Sequence, residues 1–190
     1  MTLTIQATQA DEVNLSLLGD GMATISWGDD TPSETCDLSF LEWGKDVYSH
    51  VYWDNDAKII TITGKKIRHL RCLDIGLTDI DVSENTELIW LDCSNNQLKD
   101  MDVSKNIRLK RLFCSANQLT NLDVSHNISL TELNCSKNQI AEIDVSKNLA
   151  MTIFNCSYNR LTELHLHNNT ALKCLYCVSN PLTNLDVNAL

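Results

Sequence analysis

The chain contains no apolar run approaching the ~20 residues needed to span a bilayer, so no membrane-spanning helix is expected. Its opening, MTLTIQATQADEV, lacks the basic start and apolar stretch of a secretory signal. Basic residues are in deficit: 15 Lys and Arg stand against 25 Asp and Glu, giving a net charge of −10 and a pI near 4.8. A chain this acidic repels phosphate backbones and anionic bilayers, which disfavours nucleic acid and membrane surfaces as partners. No P-loop, GxSxG, HExxH or paired-carboxylate pattern occurs, so no catalytic residue is assigned and no cofactor is implied. Glycine is scarce and lopsided. Gly19, Gly21, Gly28, Gly44 and Gly64 precede residue 66, and only Gly76 follows it.

Tryptophan divides in the same way, with Trp27, Trp43 and Trp53 early and Trp90 alone later. Two units are therefore expected, residues 1–66 and 67–190. The segments TLTIQAT, EVNLSLL, MATISWG, ETCDLSFLEW, DVYSHVYW and AKIITITG alternate or run apolar, with turn chemistry such as DDTPS between them. They predict a small β-sandwich stabilised mainly by its aromatic residues. WGDD (27–30), HVY (50–52) and the closing strand IITITG give this unit its resemblance to the PKD-like (polycystic kidney disease) immunoglobulin-type domain. The family's usual WGDG stands here as WGDD. Cys36, in a predicted strand, reads as a lone buried thiol.

The second unit repeats every 21 residues. Leu70, Leu91, Leu112, Leu133, Phe154 and Leu175 form one column, and Leu77, Leu98, Leu119, Ile140, Leu161 and Leu182 another. A third runs Val82, Val103, Val124, Val145, Leu166 and Val187. Cys72, Cys93, Cys114, Cys135, Cys156 and Cys177 fall two residues after the first column. The pattern is LxxLxCxxNxL, a leucine-rich repeat with cysteine for its third leucine. A repeat this short leaves no room for a full helix on the return leg, which should be extended or a single 3₁₀ turn. A mainly β fold follows: the sandwich, then a solenoid of six coils with a parallel concave sheet and no full convex helices.

Parallel in-register strands hold equivalent side chains about 4.8 Å apart and pointing the same way. Disulfides need converging Cβ vectors, and zinc needs ligands from several directions, so neither suits this column. The thiols are expected to pack as small hydrophobes where leucine would overfill a narrow coil. Cys174, which makes CxxC with Cys177, should point outward. Asn96, Asn117, Asn138, Asn159 and Asn180 form a column expected to satisfy turn amides as a ladder. Ile75 replaces it in the first coil, which is expected to pack against the preceding unit. The last coil, ending LDVNAL, shows no capping element, so continuation or an oligomer contact is expected there.

Outward positions flank the inward residues of each strand. Trp90, Asp92, Arg111, Phe113, Glu132, Asn134, Ile153, Asn155 and Tyr176 are the candidate ligand-binding residues, since aromatics near arginine compose protein-binding patches. Stacked aromatics also suit sugar rings, and packing of these side chains on one another is the alternative. On the opposite side Asp81, Asp102, Asp123, Asp144 and Asp186 share a column, expected to cap its own turns and to be screened by Lys105 and Lys147. His165 falls in that column beside His167, making these two with Asp144 and Asp186 metal candidates; relief of the aspartate column by the imidazoles is the simpler reading, and no metal is assigned.

LxxLxCSxNxL and LDVSxN, recurring from about Leu88 to Val187, resemble the internalin class of bacterial leucine-rich-repeat proteins, particularly the internalin J type with its cysteine column. The resemblance covers about two thirds of the chain. It implies a secreted or surface-attached, non-catalytic protein that binds a host or cell-surface protein through the concave face. An immunoglobulin-like unit precedes the repeats here, where internalins commonly begin with a helical cap. A glycan-binding module and a structural spacer are the competing functions.

Overall fold

The computed structural model describes residues 1–6, 12–39, 47–53, 56–64 and 66–186. Trp43, Gly44, Val187 and the side chain of Asp186 lie outside the described residues. Every regular element among them is a strand. The first unit supplies β1 (Thr2–Gln6), β2 (Glu12–Gly19), β3 (Met22–Ser26), β4 (Glu34–Asp37), β5 (Val47–Val51) and β6 (Ala57–Gly64). Each lies within one of the six segments read from alternation, except that β2 runs one residue further, to Gly19. Burial follows the pleat: in β2, Val13, Leu15 and Leu17 are 0–1% exposed while Glu12 and Asn14 face out.

The two short motifs of this unit meet in space. Trp27 stacks on His50 with ring centroids 5.1 Å apart, His50 Nε2 lies 2.7 Å from Asp29 Oδ2, and the Tyr52 hydroxyl donates to the Trp27 carbonyl. Asp29 also accepts the Thr31 amide at 3.1 Å, and these bonds outweigh its partial desolvation to hold its carboxyl down at about 2. Gly28 between them has φ +81°, and a Cβ there would sit 2.3 Å from the Ile59 carbonyl oxygen. Aromatic packing is uneven, however. Trp27 and Tyr52 are buried, whereas Trp53 is 83% exposed and contributes nothing to the core. Cys36 is buried, with Sγ 3.5 Å from the Ala23 carbonyl.

Six concave strands follow at the repeat positions: β7 (Ile67–Arg71), β9 (Trp90–Asp92), β10 (Arg111–Phe113), β11 (Glu132–Asn134), β12 (Ile153–Asn155) and β14 (Cys174–Tyr176). All pair in parallel and in register, Leu70 with Leu91, Leu91 with Leu112, and onward to Leu175. The return legs are extended and turned. β8 (Leu77–Asp81) serves the first coil, while β13 (Glu163–His165) pairs in parallel with β15 (Asn184–Asp186). No 3₁₀ turn occurs among the described residues.

The two units share their sheets. β7 pairs antiparallel with β2, extending the concave sheet to β14-β12-β11-β10-β9-β7-β2-β5. β8 pairs antiparallel with β1 in a second sheet, β4-β3-β6-β1-β8. The first coil is thus covered by hydrogen-bonded strands, not merely by apolar contact, and Ile75 is buried at 8% exposure.

Inside the solenoid Leu70, Leu91, Leu112, Leu133 and Phe154 are 0% exposed, each burial contributing roughly 2–3 kcal/mol. Cys72, Cys93, Cys114, Cys135 and Cys156 are also 0% exposed and unbridged. The thiols of Cys72, Cys93 and Cys135 point at the next coil's backbone, Cys93 Sγ lying 3.6 Å from the Phe113 carbonyl. Burial pushes the Cys156 thiol up to about 12 and those of Cys72, Cys93, Cys114 and Cys135 up as well. In the last coil Leu175, Cys177 and Leu182 are only partly buried, and Cys174 is exposed as its alternation requires.

Asparagine closes the turns. Asn117 Nδ2 donates to the Cys93 and Cys114 carbonyls at 3.0 and 3.1 Å, and its Oδ1 accepts the Leu98 amide at 2.9 Å. Asn96, Asn138, Asn159 and Asn180 repeat the arrangement. The residue before each rung, Asn95, Ala116, Lys137, Tyr158 or Ser179, is left-handed at φ 53–57°. For the first four, the amide is held by the next coil, as Ala116 N–H is by the Ser136 carbonyl at 2.9 Å. A second ladder, Asn106, Asn127, Asn148 and Asn169, is 0% exposed and donates across coils, Asn127 to the Val103 and Asn106 carbonyls at 3.0 Å.

Replacing Asn117 strands the Leu98 amide in a dry turn and removes one of the two asparagine donors from each of the Cys93 and Cys114 carbonyls, which keep Asn96 and Asn138. Asn117→Ala should therefore cost about 2 kcal/mol in urea unfolding, since an orphaned buried group costs roughly 1–3 kcal/mol. The exposed Asn121→Ala should stay within about 0.5 kcal/mol. Equal, small effects would refute the ladder's role. Cys114→Leu should cost roughly 1–3 kcal/mol by overpacking.

Candidate ligand-binding face

Each concave strand offers two outward positions, one on either side of its buried residue. The first positions are His69, Trp90, Arg111, Glu132, Ile153 and Cys174; the second are Arg71, Asp92, Phe113, Asn134, Asn155 and Tyr176. All nine predicted binding residues therefore lie on one face of one sheet. Their presentation differs. Tyr176 is 54% exposed, whereas Trp90, Phe113 and Ile153 are half-buried. Trp90 makes edge-to-face contacts with His69 at 5.6 Å and Phe113 at 6.3 Å, so three rings lock together across β7, β9 and β10.

The charged positions pair across strands. Arg71 Nε lies 3.6 Å from Asp92 Oδ2, and Arg111 Nε lies 3.4 Å from Glu132 Oε2. Three of the predicted residues also serve their own turns: Asp92, Asn134 and Asn155 accept the amides of Ser94, Ser136 and Ser157 at 3.1–3.2 Å through Oδ1. Those oxygens are taken up by the strand ends, and all three side chains are half-buried.

The opposite side is acidic. Asp81, Asp102, Asp123 and Asp144 accept the amide two residues on at 2.8–3.0 Å. That bond and the serine hydroxyl hold all four carboxyls below their ordinary range, and Lys105 and Lys147 add to the effect at Asp102 and Asp144. A shallow groove of about 660 Å³ opens beside them, lined by Asp123, Glu142, Asp144, Glu163 and His165 among others. His165 Nε2 lies 3.1 Å from Glu163 Oε2, and His167 is exposed. Among the described residues no three His, Cys, Asp or Glu side chains are gathered where they could share a metal ion.

Three features lay beyond sequence reading. The second asparagine ladder was visible as the N of LDVSxN, a column whose role only the stacked carbonyls explain. The left-handed column is occupied by unrelated residues and gives no signal. A hollow of about 170 Å³, lined by Asn14, Leu15, Ser16, Val47, Arg71 and Leu73, joins the first unit to the concave face. It exists only because β2 pairs with β7.

With this geometry in place, comparison with solved structures is direct. The functional domain of InlJ from Listeria monocytogenes, which includes a cysteine ladder, superposes with a TM-score of 0.63 at 38% identity, over 65% of this chain and 28% of that one. The fold is a leucine-rich-repeat solenoid. The internalin InlF of the same species gives a TM-score of 0.53 at 25% identity, over 57% of this chain and 37% of its own. A leucine-rich-repeat protein of Leptospira interrogans gives 0.50 at 21% identity, over 55% and 32%, a likeness of fold alone. This chain thus spans well under half the length of each. No protein-family model matches the chain, and curated protein sequences return no match.

The turn aspartates make stability acid-sensitive with a definite sign. Their folded pKa values lie below the unfolded ones, so their contribution is complete above about pH 4 and disappears as pH falls through the lowered values. Thermal unfolding should show Tm falling over that acid range. Asp102→Asn, Asp123→Asn and Asp144→Asn together should flatten the fall, because the amide keeps the acceptor without titrating. An unchanged slope would contradict the assignment.

Proposed function

We propose that this chain is a non-catalytic bacterial surface or secreted binding module of the internalin J type, which engages a protein ligand through its concave face in an adhesion-type interaction. In this reading residues 1–66 are a PKD-like, immunoglobulin-type β-sandwich that caps the repeats, and residues 67–190 are the binding solenoid. The supporting observation is the single sheet face that carries Trp90, Phe113, Tyr176, Arg71 and Arg111, over a core that is fully buried from Leu70 to Phe154. Aromatic and arginine side chains on a rigid, desolvated base carry most of the energy in protein interfaces. The interlocked edges of His69, Trp90 and Phe113 favour a protein over a sugar, which stacks on an open ring face.

Trp90→Ala with Tyr176→Ala tests this on an array of cell-surface proteins, with a glycan array beside it. Binding of a protein ligand should fall by roughly 2 kcal/mol or more, about 30-fold. Protein binding that both variants leave intact would overturn the concave site. A glycan signal lost in the variants would transfer the face to carbohydrate, and silence on both arrays would support a spacer.

A further inference from the structure

Charge is unevenly placed on this molecule. The chain carries −10, yet the outward positions of its concave strands hold Arg71 and Arg111 against Asp92 and Glu132 and sum to zero. Lys110 and Lys173 stand immediately before β10 and β14. The carboxylate excess lies elsewhere, as in the groove formed by Asp123, Glu142, Asp144 and Glu163.

Within the concave face the two signs are not equally available. The side chains of Asp92 and Glu132 are 14% and 26% exposed; those of Arg71 and Arg111 are 48% and 62% exposed. Asp92 is further occupied by the Ser94 amide. Each carboxylate lies against the guanidinium's Nε, which orients the plane while neither arginine has a second ion pair among the described residues. An arriving surface therefore meets guanidinium forks before it meets carboxylates. Arg71 also borders the hollow at the junction with the first unit, beside Asn14, Ser16 and Val47. Trp90 stands on β9, between the strands of the two arginines, and touches Phe113, which shares β10 with Arg111; neighbouring strands are about 4.8 Å apart.

We propose that the concave face selects an acidic patch on its protein partner, with Arg71, at the edge of the junction hollow, and Arg111 each receiving a carboxylate, so that an acidic protein recognises an acidic one. This rests on the concave face being the binding surface. A carboxylate seated on a planar fork gains two parallel charge-assisted hydrogen bonds, which an ammonium group does not reproduce. The surrounding negative charge restricts the match to a few well-placed carboxylates and opposes long polyanions.

The test is titration of the full ¹⁵N-labelled chain with a short oligoglutamate and, separately, a short oligolysine. Oligoglutamate should shift the amides of β7, β9 and β10 and the Nε–H signals of Arg71 and Arg111, the shifts weakening as salt is raised. Arg71→Gln with Arg111→Gln should reduce its affinity about tenfold or more, while Arg71→Lys with Arg111→Lys should recover only part. Oligolysine should instead shift Glu142, Asp144 and Glu163. Oligoglutamate shifts absent from the concave strands, or oligolysine shifts concentrated there, would overturn the proposal. So would a protein ligand lost with Trp90→Ala and Tyr176→Ala but retained by the Arg→Gln pair; in that case the binding face stands and its selectivity for acidic partners falls.

Discussion

Each coil of this molecule leaves inward-facing carbonyls and amides at its turns, and every one must find a partner where water does not reach. Asparagine meets that constraint because one side chain both donates twice and accepts. Asn117 ties the Cys93 carbonyl of one coil to the Cys114 carbonyl of its own and receives Leu98 N–H from the coil before. The bond network therefore runs between coils, and a rung removed weakens two coils at once. The 21-residue length follows from it, since any insertion would shift amide and carbonyl out of reach. From Asn95 to Tyr158 the left-handed residue before the rung is sustained by a backbone bond to the next coil, which is why Ala116 and Tyr158 occupy a conformation that glycine would adopt more easily.

Cysteine fits the space that this network leaves. With both sides of each coil held by ladders, the row beside the leucines is filled by buried thiols, which supply apolar contact with less volume than leucine. Its weak donor points at the neighbouring backbone, consistent with the 3.5–3.6 Å contacts at Cys72, Cys93 and Cys135. Burial raises the pKa of these thiols, so the ladder is chemically quiet as well as well packed.

Much of this was legible in the residue order because stacking imposes one register on every column. The leucines, cysteines and asparagines of the solenoid sit where their spacing put them, and the aspartates cap their turns as short polar side chains do. Alternation likewise located β2, β3 and β6. The pairing of β2 with β7 and β1 with β8 carries no local signal, because it depends on two sheets meeting edge to edge. For the same reason Arg71 did not stand out from the sequence as part of a hollow, and Trp53 could not be told from a core tryptophan. On the concave face the residues were legible but their division of labour was not. Asp92, Asn134 and Asn155 spend one oxygen on their own turns, and Trp90 and Phe113 lean on each other.

A rigid stack with one open face suits recognition. The ladders hold the coils, so concave positions such as Trp90, Arg111 and Tyr176 are not tied to the stack, whereas Asp92, Asn134 and Asn155 also cap their own turns. The stack seals the interior thiols, and reaction with a thiol reagent under native conditions tests this most directly. Of the eight cysteines, Cys174 should react at once and the partly covered Cys177 more slowly. Cys36, Cys72, Cys93, Cys114, Cys135 and Cys156 should react only at the rate of unfolding, accelerating together as denaturant is added. Rapid native labelling of the column, or its recovery as disulfides, would contradict the structure described.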